Sequence, residues 1–217
     1  MVKPGQDDSE YFDFEVNVLR KKKQEAQLCF LSMNLISPPD GAFWGKFNDR
    51  VLVSKWVSDM VQVLKGGLDH TADENAINVA VKREWIVGME EQNVEAFLKA
   101  NAHSEGKDIE EVPEVKFTEL GLKEIKNRNL WMLGGNHRRE AMKVIAAGLV
   151  NEIEEERKVL AKLKRENQEG DVVGIKNAEI SATEERLQKL EKKLSKTSKW
   201  AVRLFDRGER SIRTFLR

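Results

Sequence analysis

Only one cysteine, Cys29, occurs among the 217 residues. A disulfide framework within the chain and a zinc site built from several thiolates are therefore excluded. Cys29 lies in the apolar stretch AQLCFLSM, a setting that predicts a buried, inert thiol rather than a nucleophile. An excess of charge is also missing, since Lys plus Arg and Asp plus Glu number 37 each. Bulk charge gives no support to a polyanion-coating role, so any nucleic-acid contact has to come from a local patch. No basic-then-apolar leader opens the chain, and no apolar run approaches the roughly 20 residues of a membrane span. The chain reads as soluble and intracellular, with nothing to divide nucleus from cytoplasm. His70 and His103 sit in polar, loop-like stretches without metal-ligand spacing, and no metal site is expected.

What is there suits one domain with an appendage. Hydrophobic residues make up 40% and charged residues 34%, enough apolar material for one core but not for every segment. Residues 1–41 read as an N-terminal helical extension, with helical character over 11–36 and a break at SPPDG. Residues 42–206 read as the globular part. Val53, Trp56, Val57, Met60, Val61 and Leu64 recur at helical spacing before Gly66-Gly67. AINVAVKREWIV and NLWML are rich in β-branched or large apolar residues and predict strands, and KWAVRLFD predicts another.

Between the last two strands the composition changes. Over 151–196 nearly every second residue is charged and no aromatic occurs. Leu149, Ile153, Leu160 and Leu163 fall on alternating four- and three-residue steps, with Glu156 at one seam position. Ile180, Thr183, Leu187, Leu190 and Leu194 repeat the spacing after a glycine-bearing break. Two such runs predict an inserted antiparallel helical hairpin. The basic tail 207–217 carries no terminating pattern, as in a piece of a longer protein. The fold class expected is α+β, a small mixed sheet with packed helices plus the hairpin.

The stretch NLWMLGGNHRREAMKVIAAG carries the chemistry. A helix's first turn has backbone N–H groups without intrahelical partners and a partly positive end. Gly134 and Gly135 let another molecule approach the backbone, and Arg138 and Arg139 add planar donor forks suited to phosphate. Together they describe an anion-binding corner. In that arrangement the amides of Asn136 and His137 hold phosphate oxygens and Arg138 is the direct charge partner, with Arg139 second. His137 donates to phosphate or shuttles a proton. The structural alternative has Asn136 capping the helix, the arginines paired with nearby carboxylates, and a satisfied histidine.

A strand followed by Gly-x-His/Glu-Arg-Arg at a helix start resembles the ParB-like nuclease and sulfiredoxin superfamily, in which this box is the phosphate corner for a nucleotide. FNDR, ending at Arg50, resembles that family's Asn-Pro-Arg element, with Asp49 in place of proline. SKWVSDMVQVLKGGL, NAINVAV and WAVRLFD are similar to its next helix, next strand and the strand after the box. The resemblance implies a ParB/sulfiredoxin-like sheet and a ligand set of Gly134, Gly135, Asn136, His137, Arg138, Arg139 and Arg50. It also implies a nucleotide ligand, with a nucleoside triphosphate and Mg2+ the first pair to consider. Two departures matter. Asn136 stands where sulfiredoxins carry their reactive cysteine, which removes that chemistry. The helix-turn-helix domain of chromosome-partitioning relatives is not recognisable here, so their DNA binding does not carry over.

Three readings follow. The first is a nucleotide- or phosphate-binding module that regulates a protein or nucleic-acid partner. The second is an interaction scaffold working through the hairpin. The third is a phosphotransferase or nuclease using the same corner. For the enzyme no catalytic base stands out among Asp69, Asp73, Glu74 and Glu140.

Overall fold

A computed structural model describes residues 26–40, 42–44, 51–89, 94–127, 130–169 and 173–207. Five strands form one mixed sheet: β1 (Gln27–Asn34), β2 (Ala42–Phe43), β3 (Ile77–Val81), β4 (Leu130–Met132) and β5 (Lys199–Asp206). Their spatial order is β1-β5-β3-β4-β2. β5 pairs antiparallel with β1 and parallel with β3, while β4 pairs antiparallel with β3 and parallel with β2. The helices are α1 (Ser54–Lys65), α2 (Val94–Ala100), α3 (Glu119–Lys126), α4 (Asn136–Glu169) and α5 (Val173–Ser198). No helix among the described residues is long and apolar enough to cross a membrane.

The three long strands are covered on both faces, which explains their nearly continuous apolar runs. Leu31, Met33, Val79, Val81, Trp200, Val202 and Leu204 build the centre, and Leu130, Met132 and Met142 join it from β4 and α4. Cys29 is fully buried, as its setting predicts, and burial pushes its thiol pKa up to about 12.

The helix expected over 11–36 fails in its described part, because residues 27–34 are a strand. QLCFLSMN contains good helix formers, but a short apolar run does not distinguish a helix from a buried strand by period alone. Tertiary pairing decides it. One side of β1 is registered along β5 from Gln27 to Asn34. The other side is closed by loops, with the Phe30 amide donating to Asn101 O at 2.8 Å, Ser32 N to Pro113 O at 2.8 Å and Val115 N to Ser32 O at 2.8 Å. A helix would forfeit both sets of bonds. Residues 1–25, the Phe47–Arg50 element and 208–217 lie outside the described residues.

Two other boundaries move. The strand expected over AINVAVKREWIV ends at Val81, and Arg83–Trp85 form a short 3-10 turn that seats Trp85 in the core. The box helix and the first hairpin arm, expected as separate elements, are one unbroken α4 that runs through Gly148. An interior glycine costs only about 1 kcal/mol against alanine, and burial of Ala141, Met142, Ala146, Leu149 and Ile153 on the same helix outweighs it. The hairpin itself is present. Arg157 meets Glu191 at 2.7 Å and Lys164 meets Glu184 at 2.8 Å, so the arms run antiparallel. Glu156, in its seam position, has Arg186 3.8 Å away, an ion pair beyond hydrogen-bond reach. Exposed pairs of this kind contribute about 0–1 kcal/mol; the leucine seam holds the arms.

The distal hairpin packs chiefly on itself, which leads to a test. Replacing 158–189 by a short turn is expected to lower helical circular dichroism while leaving the blue-shifted emission of buried Trp85 and Trp200 intact. Loss of that emission would show that the sheet depends on the distal arms.

Candidate phosphate-binding turn

β4 leads directly into the turn. Leu133 N donates to Asn78 O at 2.9 Å, extending the β3–β4 ladder by one residue. Gly135 then takes φ +85°, and a Cβ there would lie 2.5 Å from Ile77 Cδ1. Only glycine meets both demands. Gly134 differs, since a Cβ on it meets nothing within 4 Å. Arg139 N donates to Gly135 O at 2.8 Å, so Gly135 occupies the cap position and Asn136 is the first residue inside α4. Among the described residues no group accepts from the amides of Asn136, His137 or Arg138. The first turn carries no acidic residue either. The positive end of a 34-residue helix is left without a counter-charge from its own sequence.

The three charged or titratable side chains of the box turn inward. His137 Nε2 accepts from Val53 N at 3.2 Å, which places the ring proton on Nδ1, and the ring lies 5.3 Å from the Trp56 ring. His137 thus ties the entry of α1 to the entry of α4, while Trp56 remains 53% exposed beside it. Arg138 donates from Nη1 to the carbonyl of Asn75 and lies 5.5 Å from the Trp200 ring centre. Trp200 Nε1 donates to the same carbonyl at 2.8 Å. Burial lowers the Arg138 pKa below the usual arginine value, and among the described residues no carboxylate lies within ion-pair reach of it. Arg139 donates from Nε to Leu35 O at 3.2 Å, covers Trp44 at 4.4 Å, and meets Glu140 Oε1 at 3.4 Å. Glu140 also takes Lys143 at 2.8 Å.

The residues of the box lie together at the turn, but Arg138 has a different partner from the one expected. Its guanidinium, expected on a ligand, rests on a backbone carbonyl under Trp200. Arg139 faces a neighbouring carboxylate, as the alternative for it held. Asn136 is not the cap that the structural alternative required. Arg50 lies outside the described residues. Asp69 accepts from Thr71 N and Oγ1, both at 2.7 Å, and Asp73 accepts from His103 Nδ1 at 3.0 Å and from Ser104. Two of the four acids named as candidate bases are thus engaged in shaping their own loop. His70, expected in a polar loop, is stacked on Trp200 with ring centres 4.4 Å apart, and burial lowers its pKa. Among the described residues no three His, Cys, Asp or Glu side chains gather as a metal site.

Two stability tests follow. Gly135→Ala is expected to destabilise by roughly 2–5 kcal/mol, combining left-handed strain of about 1–2 with overpacking of about 1–3. Gly134→Ala is expected to be near neutral, with urea midpoints reading both. For the Asp69 loop, Thr71's hydroxyl and amide hold the carboxyl below its usual range. A depressed folded-state pKa adds stability above the unfolded value of about 3.9, and this is lost as pH falls through the folded value. The urea-midpoint advantage of wild type over Asp69→Ala is therefore expected to be constant from neutral pH to about 5 and to shrink below about 4.

Comparison with protein-family models, curated proteins and solved structures finds no match for this chain.

Proposed function

We propose that the chain is a ParB-like phosphate-binding module whose ligand, a nucleotide or another phosphate, sits against the first turn of α4 and regulates a protein or nucleic-acid partner. The observation that carries this reading is Arg138, a half-buried cation held by a neutral carbonyl and an aromatic face instead of a carboxylate. A desolvated charge without a counter-ion is costly. Here it stands one residue behind unpartnered amides at the positive end of a helix, so an incoming anion relieves both. The open space at Gly134 gives such an anion a path to the backbone.

Magnitudes limit the claim to modest affinity. Two charge-assisted hydrogen bonds contribute about 1.5–3 kcal/mol each, and the helix end adds roughly 1. The total of about 4–7 corresponds to dissociation constants from millimolar to roughly ten micromolar. Further contacts to a sugar or base raise it. Binding ranks ahead of catalysis because Asp69 and Asp73 are already held by Thr71, His103 and Ser104. Asn136 in the cysteine position argues against sulfur chemistry. A second reading, the hairpin as interaction scaffold, is favoured by Val159, 46% exposed on the arm.

Calorimetric titration with ATP, CTP, GTP and UTP, each with and without Mg2+, tests the proposal. Saturable binding is expected for wild type, with at least about a tenfold loss in Arg138→Gln, the size of one charged hydrogen bond. Gly134→Val, which places its side chain in open space, is expected to lose binding without losing melting temperature. Absence of binding below millimolar concentrations would overturn the module reading and favour the hairpin.

A further inference from the structure

A second concavity lies away from the turn, where the end of α1 meets α4 and the base of α5. It encloses about 350 Å³, within the range of small-molecule sites. Its apolar lining comes from Leu64, Met142, Ile145 and Leu149, and Met142 and Leu149 are themselves buried. His70 contributes a ring already stacked on Trp200, and burial lowers its pKa, which keeps that wall uncharged near neutrality. The charged lining residues are Lys65, Lys193 and Glu152. Among the described residues none of the three has an ion-pair partner, and two cations against one anion leave an excess positive charge.

Gly148 supplies the second observation. It sits on the wall of this space in the middle of α4, where glycine costs about 1 kcal/mol relative to alanine. A Cβ there meets nothing within 4 Å, so no neighbour requires the side chain to be absent. The consequence of glycine at this position is an open cavity. An apolar floor, a positive rim and a missing side chain on one wall select an apolar body carrying one negative charge.

The geometry points to a binding site for an amphipathic carboxylate, an acyl or aryl group on the α1–α4–α5 floor with its carboxylate between Lys65 and Lys193. This site is independent of the phosphate reading, because it uses neither Arg138 nor the first-turn amides.

The test titrates the full chain with decanoate, below its micellar range, and with decanol as the uncharged control. Saturable 1:1 binding of decanoate is expected, with decanol at least about tenfold weaker, as for loss of a charge-assisted contact. The pair Lys65→Met and Lys193→Met is expected to remove that preference. Gly148→Leu is expected to abolish binding while its melting temperature holds or rises, and Gly148→Ala to weaken binding less. Gly134→Val is expected to leave decanoate binding unchanged, which separates this site from the phosphate turn. No saturable binding, equal binding of decanol, or full binding in a folded Gly148→Leu would each overturn the assignment.

Discussion

The carbonyl oxygen of Asn75 receives two donors from elements that flank the hairpin in sequence. Trp200 Nε1 reaches it from β5 and Arg138 from the first turn of α4. Asn75 closes a short 3-10 turn, Asp73–Asn75, and two residues earlier in it the Asp73 carbonyl takes Arg203. This small group of main-chain acceptors fixes where α4 begins relative to the sheet. With α4 fixed, Gly135 is pressed against Ile77 and His137 can receive the Val53 amide. The position of α1 then follows from its packing on α4. Because the acceptors are neutral, the guanidiniums are held in place without losing their charge. Carboxylates in the same places would have neutralised them.

Much of the architecture was legible in the sequence, for reasons that differ between elements. β5 was readable from its apolar alternation, and the hairpin arms from a three-to-four-residue spacing that favoured a packed pair over two solvated helices. The Gly-Gly-Asn-His-Arg-Arg turn was readable because glycine at a positive φ before a helix leaves a local mark. β1 was not, since QLCFLSMN is a strand only through its partners at residues 199–205 and 113–115. The merging of the box helix with the hairpin was hidden by Gly148, a residue that locally reads as a stop. For the candidate site the sequence marked the residues of the turn, whereas the partner of Arg138 was beyond it. A backbone carbonyl 63 residues away has no residue type to announce it. The tryptophans that cover both arginines are likewise brought there only by the folded sheet.

Net neutrality conceals an uneven distribution of charge. Along the hairpin, opposite charges face each other across the arms and largely cancel in solvent. At the base of α5, Lys196 is likewise met by Asp108 and Glu110 from the neighbouring loop. Arg138 at the turn, and Lys65 and Lys193 at the α1–α4–α5 cavity, have no ion-pair partner among the described residues. Averaging over the chain therefore removes the very features from which chemistry can be inferred.

The continuity of α4 has a mechanical meaning. At about 1.5 Å per residue, its 34 residues form a rod of roughly 50 Å. One end carries the glycine turn; the other is the tip of the hairpin. A tilt of about 5° about the turn moves that tip by roughly 4 Å, a displacement approaching one helical pitch. With a flexible joint at Gly148 the same tilt would dissipate about a third of the way along. Unbroken, the helix is a lever, with its fulcrum at the sheet and its long arm in solvent.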